Sequence, residues 1–578
     1  MLYLMITTIG DIAFENYMKL EEGYQYDIPF DNLMLPYIPI ADILRKDGLI
    51  TEDVKVGFAH PVGYRGLCHM SKELLKNRPG VAPFIKMQFT NDRTEKKNGM
   101  RIRRIKAGKR FFATVLIPPD LEEEFEKKVT GRKRIGITAE GITGEVEMRL
   151  LNELPDYHEK KNLSSLAHYA SIDYSVTLLT PTCFQAPYEE GEKTYLYIPG
   201  AVVAAFVRSC LKDKYVADMG SIRCSNAYIS EGKARLLPVP ICDAVIKLDK
   251  KQLRYRLASG KDPERVEQEV GLSAAYAHSF EGNLLKYTTP ETEHIAVKDK
   301  GMFDALSPGQ TFCGRIYADD SIIRKIAVYI NQNPYAFLGK LTREGYGEVL
   351  LNVTGINEAE IPAELPARTF DVCCVSDTLI LNDDGLASCK AEDLVNEIEY
   401  ILKCPGRLVI ERRYTNIYRD YSENLRWGAD GAVVRCIEKG SVLRIRTTDG
   451  DPIDIFPLMN CFVGERTEDG YGELLAYPAR GQYYRYAEKM PVSLYERDHS
   501  LSFRDISVGA DFAENVIKSV LKSRIEALAI TDRAEKKNGA AIEDFFPEEL
   551  IREMKERLLP DISEETLKMW YMEVLEGK

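Results

Sequence analysis

The sequence predicts an α+β protein: tandem units that each run strand, helix, further strands and a glycine-rich loop, followed by a helical tail. Three observations predict this. One glycine string occurs three times, a strand-to-helix passage precedes each copy, and polar or proline-bearing breaks separate the copies. The string is Gly, seven residues, then Gly-Glu, at residues 136–145, 339–348 and 464–473. The second and third agree further, as Thr-Arg-Glu-Gly-Tyr-Gly-Glu against Thr-Glu-Asp-Gly-Tyr-Gly-Glu.

Unit one opens on an apolar strand over residues 2–7 and passes through Leu35-Pro36-Tyr37-Ile38-Pro39-Ile40 into an apolar helix ending at Arg45. Unit two repeats this with a strand over 175–180, then Tyr197-Ile198-Pro199-Gly200 and a helix to Arg208. Strands over 110–117 and 310–317 precede their glycine loops. Unit three has a strand over 370–381, then a helix over 390–402 with Leu394, Ile398 and Ile401 at helical spacing, then strands over 407–412, 432–437 and 441–446. This order is that of split βαβ units of ferredoxin-like type. The breaks give units at 1–155, 166–356 and 367–480. From 505 to 578 the glycines thin out. Val516, Ile517, Val520, Leu521, Ile525 and Leu528 make one helical face, so this segment reads as a helical tail.

The 578 residues, 45% hydrophobic and 29% charged, exceed one core; at roughly 100–200 residues per domain they fill three to five. The apolar run 198–207 is about half the ~20 residues a membrane helix needs. No membrane association is expected. Twelve scattered cysteines without a CxxC pair read as reduced thiols of a cytoplasmic protein. Seven histidines form no metal-binding string, and no resident cofactor is expected.

A net charge of −12 argues against indiscriminate nucleic-acid binding. Residues 93–110 are the exception, with nine basic side chains, Arg101, Arg103 and Arg104 among them, against one acid, Glu95. They predict an extended hairpin arm on an acidic body, either lying along RNA or simply solvated. The acidic tail, with sixteen acids and eleven bases over 511–578, is expected to stay off RNA.

Gly339 to Glu348 and Gly464 to Glu473 match the form G-x-x-x-x-x-G-[FY]-G-[ERK] and, with the Ile-Pro-Gly passage, resemble the RAMP superfamily of CRISPR-associated proteins. Gly136 to Glu145 fits loosely, with Ile142 and Thr143 in the middle, and Ile40 stands where unit two has Gly200. The turns Lys106-Ala107-Gly108-Lys109 and Ser307-Pro308-Gly309-Gln310 are also similar to the family's. The resemblance covers about residues 1–480. It implies an RNA-binding subunit of a type III effector complex, III-D-like, whose partners are guide CRISPR RNA, target RNA and other effector subunits.

Such a subunit contacts phosphates, sugars and base faces rather than base edges. The candidate RNA-binding residues are Gly136, Gly144, Gly345, Gly347, Gly470 and Gly472 for bare backbone donors, and Lys340, Arg343 and Arg466 for charge. Tyr346 and Tyr471 supply rings, for stacking on bases or for packing. Arg101, Arg103, Arg104, Arg412 and Arg413 add basic surface, the last two in a stretch with Tyr414, Tyr418 and Trp427 that suits RNA or a neighbouring subunit. In RAMP subunits that cut target RNA, an Asp before the Ile-Pro-Gly segment is catalytic. Asp27 and Asp31 stand in a similar place, where a carboxylate could hold Mg²⁺ or only cap its own loop. A histidine-based guide-processing ribonuclease using His60 or His69 ranks below both readings.

Overall fold

Strand β1, Leu2–Thr8, is buried along its whole length, as a continuous apolar run at the centre of a sheet should be. It opens the computed structural model, which describes residues 1–15, 37–46, 53–61, 90–97, 100–136, 143–152, 171–184, 194–211, 222–231, 234–240, 277–281, 284–297, 301–357, 364–382, 384–421, 433–459 and 461–479, with short segments at 243–244, 253–255, 483–484 and 486–489. The chain divides into two compact units, Met1–His158 with Leu341–Tyr346 and Tyr495–Lys578, and Glu159–Lys340 with Gly347–Leu494.

In the first unit, β1 is followed by β2 (Ile12–Glu15), α1 (Ile40–Lys46), β3 (Lys55–Val56) and β4 (His60–Pro61). Then come β5 (Thr90–Lys97), β6 (Met100–Ile105), β7 (Arg110–Leu116), α2 (Glu122–Val129), β8 (Gly131–Arg134) and β9 (Glu145–Leu151). The sheet runs β3-β7-β1-β9-β8, with β4 also on β7. Leu4 stands opposite Ala113 on one side and Leu150 on the other, both pairings antiparallel. Helix α2 buries only Phe125 and Val129, and its first-turn acids and last-turn lysines complement the helix dipole. The basic arm is a β-hairpin: β5 and β6 pair antiparallel and β2 joins them in a separate three-stranded sheet.

The second unit holds two more sheets of the same plan. One contains β10 (Ser171–Leu178), α3 (Gly200–Leu211), β11 (Arg223–Cys224), β12 (Tyr228–Glu231), β13 (Ala234–Arg235), β14 (Thr311–Tyr317), α4 (Asp320–Gln332), β15 (Tyr335–Phe337) and β16 (Glu348–Asn357). Its order is β13-β12-β14-β10-β16-β15. The other contains β17 (Thr369–Cys374), α5 (Ala391–Leu402), β18 (Leu408–Tyr414), β19 (Val442–Thr447), β20 (Cys461–Phe462) and β21 (Glu473–Pro478), in the order β18-β19-β17-β21-β20. These three sheets with their helices are called modules one, two and three.

Helix α4 was absent from the sequence reading, yet it buries Ile323, Ile326, Ala327 and Ile330 at three-to-four spacing. Each such isoleucine contributes about 2 kcal/mol of burial. Asp320 pairs with Arg324 one turn on. Helix α5 buries Leu394, Val395 and Ile398, carries Glu392 and Asp393 in its first turn and ends on Lys403 in the left-handed region. Where the sequence reading placed one strand over 370–381, the chain breaks after Cys374 and resumes at Ile380–Leu381.

The region between β13 and β14 forms extra strands of its own. Ala277–Glu281 pairs with Leu284–Thr288, which in turn pairs in parallel with Tyr486–Lys489. The stretch after module three thereby returns to module two's insertion. No disulfide joins any of the ten described cysteines. Burial pushes the thiols of Cys224 and Cys374 up to about 12, out of reactive range. Among the described residues no helix is long and apolar enough to cross a membrane.

Candidate nucleic-acid interface

The three glycine strings are one structure used three times. At the exit of each loop the second glycine has positive φ, at Gly144 (67°), Gly347 (74°) and Gly472 (74°), which only glycine adopts cheaply. The amides of Ile135, Leu338 and Val463 donate to the carbonyls of these glycines at 2.8, 2.8 and 2.9 Å. The glycines in turn donate to Asp11, Pro181 and Asp377 at 3.1, 3.1 and 2.9 Å. A second feature also recurs in all three modules, the turn before the central strand. Gly108, Gly309 and Gly440, with φ of 74°, 85° and 81°, donate to Thr8, Leu178 and Cys374 at 2.6, 2.7 and 2.7 Å. Only the first two turns were read from the sequence, because Glu438-Lys439-Gly440-Ser441 shares nothing with them but the glycine.

Loops two and three share their tips as well. Thr342–Glu344 and Thr467–Asp469 are single 3-10 turns, entered through Leu341 and Arg466 at positive φ (61° and 57°). They are left through Gly345 and Gly470 (91° and 90°). Both tips lie against a preceding module. Gly470 stands over the first turn of α3. A Cβ on it would fall 2.8 Å from the Cys224 carbonyl, 2.9 Å from Asn226 Oδ1 and 2.9 Å from the Gly200 Cα. Asn226 Oδ1 also accepts the Gly200 amide at 2.7 Å. In the first unit, a Cβ on Gly345 would meet the Phe58 ring at 3.2 Å and the Val56 carbonyl at 3.4 Å. The Tyr346 ring stands edge-on to Phe58, centroids 5.1 Å apart, and Arg45 donates to the Arg343 carbonyl. Burial, reinforced by the Arg343 charge, lowers the Lys55 pKa.

The bareness of Gly345 and Gly470 thus serves close approach to protein, and Tyr346 packs against protein too. Tyr471 is half-buried beneath the Arg466 guanidinium, 4.5 Å from ring centroid to Cζ. Lys340 and Arg343 are exposed beside loop two. Gly136 is exposed and Gly144 buried. Arg413 is exposed and pairs with Glu392 at 2.8 Å, while Arg412 is half-buried opposite Arg444. Arg101, Arg103 and Arg104 all lie on β6, at register positions opposite Lys96, Phe14 and Asn91. Asp27, Asp31, His69, Trp427 and the tail faces lie outside the described residues, and His60 is buried in β4.

A buried ionic pair that no sequence motif announces joins modules two and three. Arg235 of β13 forks onto both carboxylate oxygens of Glu473 at 2.6 and 2.7 Å, with both side chains largely removed from solvent. Burial alone would lower the Arg235 pKa, but the Glu473 charge and hydrogen bonds outweigh it and hold it above its ordinary value. Around the pair, Tyr228 donates to the Val375 carbonyl at 2.6 Å and lies under the Arg235 guanidinium. Tyr197 packs on Tyr228, and the Lys439 ammonium lies 5.1 Å from the Tyr197 ring centroid. The glutamate was visible as part of the Gly-Glu string; nothing local to Arg235 marks it as the partner.

No family model matches the sequence, and no curated protein matches it. Among solved structures, the chain is similar to a chain of a type III-B Cmr-beta complex bound to cognate target RNA and AMPPnP, at 12% identity and a TM-score of 0.28, over 47% of this chain and 86% of that one. It is also similar to a Cas6-related protein of Pyrococcus furiosus, at 10% identity and a TM-score of 0.27, over 54% of this chain and all of that one. A third is a RAMP protein binding different RNA substrates, at 11% identity and a TM-score of 0.26, over 54% and 100% of the two chains.

Proposed function

We propose that this protein is a guide-RNA-binding structural subunit of a type III CRISPR ribonucleoprotein, a III-D-like RAMP protein in which three ferredoxin-like units are fused. The observation that carries this reading is the threefold recurrence of one module, strand, helix, strand pair and glycine loop, with the same loop hydrogen bonds each time. The strand orders β3-β7-β1-β9, β12-β14-β10-β16 and β18-β19-β17-β21 support the split βαβ reading of each module. The nine basic residues of 93–110, most of them on the β5–β6 hairpin, supply the phosphate-binding arm that an otherwise acidic chain needs.

In this role the protein holds RNA through phosphates and sugars, and target choice is left to base pairing by the guide. Its partners are the guide, the target RNA and further effector subunits in the cytoplasm. The test is to purify the full chain with its neighbouring subunits from its native host and sequence the bound RNA. RNAs sharing one constant end and differing in the remainder are expected. Recovery of no RNA, or of bulk cellular RNA without a constant end, would overturn the reading.

A further inference from the structure

The two internal joints define a seat that exists a third time. In module one the tip of loop two meets the carbonyl of Val56 and the ring of Phe58; in module two the tip of loop three meets the carbonyl of Cys224 and the side chain of Asn226. Val56 pairs with Val115 and Cys224 with Ile316, each the seventh residue after the turn glycine, Gly108 or Gly309. Counting seven from Gly440 gives Thr447, whose partner on edge strand β18 is Leu408; Ile410 then corresponds to Phe58 and Asn226. Leu408 and Ile410 follow α5 just as Cys224 and Asn226 follow α3.

Burial separates the third seat from the other two. Val56 and Cys224 are fully buried, and Phe58 and Asn226 nearly so. Leu408 and Ile410 are only half-buried, Val409 between them is 39% exposed, and Tyr400 on α5 is 84% exposed. The edge strand is seven residues long, and its exposed apolar position, Val409, lies between the two half-buried seat residues, ahead of the charged Glu411 and Arg413; an edge left open at its apolar end is one that folded proteins ordinarily cover.

We propose that this end of module three, built on Leu408 and Ile410 of β18 beside α5, seats the glycine loop of a different protein, one carrying Gly-Tyr-Gly-Glu at the loop tip as loops two and three do. A second copy of this chain is not the occupant. Three residues before their closing glutamates, loops two and three carry Gly345 and Gly470, whereas loop one carries Ile142. At Gly470 even a bare Cβ would crowd three atoms within 3 Å. A branched side chain there blocks the seating. A head-to-tail contact that cannot close on itself and cannot recruit its own kind ends with a foreign partner. The inference stands whether or not the chain binds RNA.

The test uses the full chain and reads mass by sedimentation velocity. The wild type is expected at the single-chain 65.5 kDa. The double variant Ile142→Gly with Thr143→Tyr supplies a seatable loop and is expected to form concentration-dependent multiples. Adding Val409→Glu should return it to a single mass. A folded double variant that keeps a single mass, or multiples that survive Val409→Glu, would overturn the proposal. Wild-type multiples lost on Val409→Glu would overturn the exclusion of a second copy. A fluorescein-labelled peptide of residues 464–473 guards against a misfolded variant. It should bind the wild-type chain at least tenfold more tightly than Val409→Glu, and equal affinity for the two chains overturns the proposal.

Discussion

Gly470 and Gly200 face each other so closely that a methyl group built on either would lie 2.9 Å or less from the other's Cα. The contact joins the tip of loop three to the first turn of α3, and it tolerates no side chain on either partner. Gly470→Ala should therefore combine left-handed backbone strain with overpacking and destabilise the second unit by about 3 kcal/mol. Gly450→Ala is the control: its φ is also positive, at 75°, but its Cβ would meet nothing within 4 Å. It should cost about 1 kcal/mol. Urea midpoints of the two variants check the difference, and equal losses would remove the close approach as the reason for the glycine.

Arg235→Met leaves Glu473 buried without its fork and should cost about 3–5 kcal/mol. Arg235→Met with Glu473→Leu should recover most of that loss, because the pair's cost lies in stranding one charge. Thermal unfolding of the two variants beside the wild type checks the order. A double variant as unstable as the single one would show that the pair is worth more than its desolvation.

Replacing Arg101, Arg103 and Arg104 of the β6 arm by Gln should flatten the slope of log affinity against log salt by about 2 for single-stranded RNA. Fluorescence anisotropy across a salt series reads it. An unchanged slope would leave the hairpin as a solvated arm.

Glu293 gives a pH prediction. Its Oε1 is buried with no hydrogen-bond partner, and desolvation pushes its pKa from the ordinary 4.5 up to about 8. The folded form then keeps a proton that the unfolded chain has released, so stability falls as pH rises from about 4.5 to 8. Glu293→Gln, neutral throughout, should match the wild type at pH 4 and unfold at a higher temperature than it at pH 8.5. Parallel melting curves across that range would place the carboxylate in water.

The repeat was legible because its signal is steric: positive-φ backbone at Gly144, Gly347 and Gly472 demands glycine, and glycine is visible in a sequence. The strand-to-helix passages were legible for the same kind of reason, since Pro199 and Gly200 punctuate an otherwise apolar run. Helix α4 carried its period in Ile323, Ile326 and Ile330, but no glycine or proline passage of the kind that opens α3 marks its start. What could not be read is the meeting of distant parts. Arg235 and Glu473 are 238 residues apart, and no local pattern marks that arginine as the partner. The tip glycines showed where the backbone had to be bare, while their neighbours Phe58 and Cys224 were set by tertiary packing alone.

The parallel pairing of Leu284–Thr288 with Tyr486–Lys489 bears on synthesis. At about 5–20 residues per second, a ribosome needs roughly 10–40 s to travel from the first of these strands to the second. Throughout that interval module two's insertion has an unpaired β edge, and for most of it Arg235 lacks Glu473, because residue 473 has not yet been made. Module two therefore cannot finish folding as it emerges and must wait for the chain beyond module three. This interval is the one in which the nascent protein is most open to edge-to-edge aggregation and most dependent on a chaperone that shields strands.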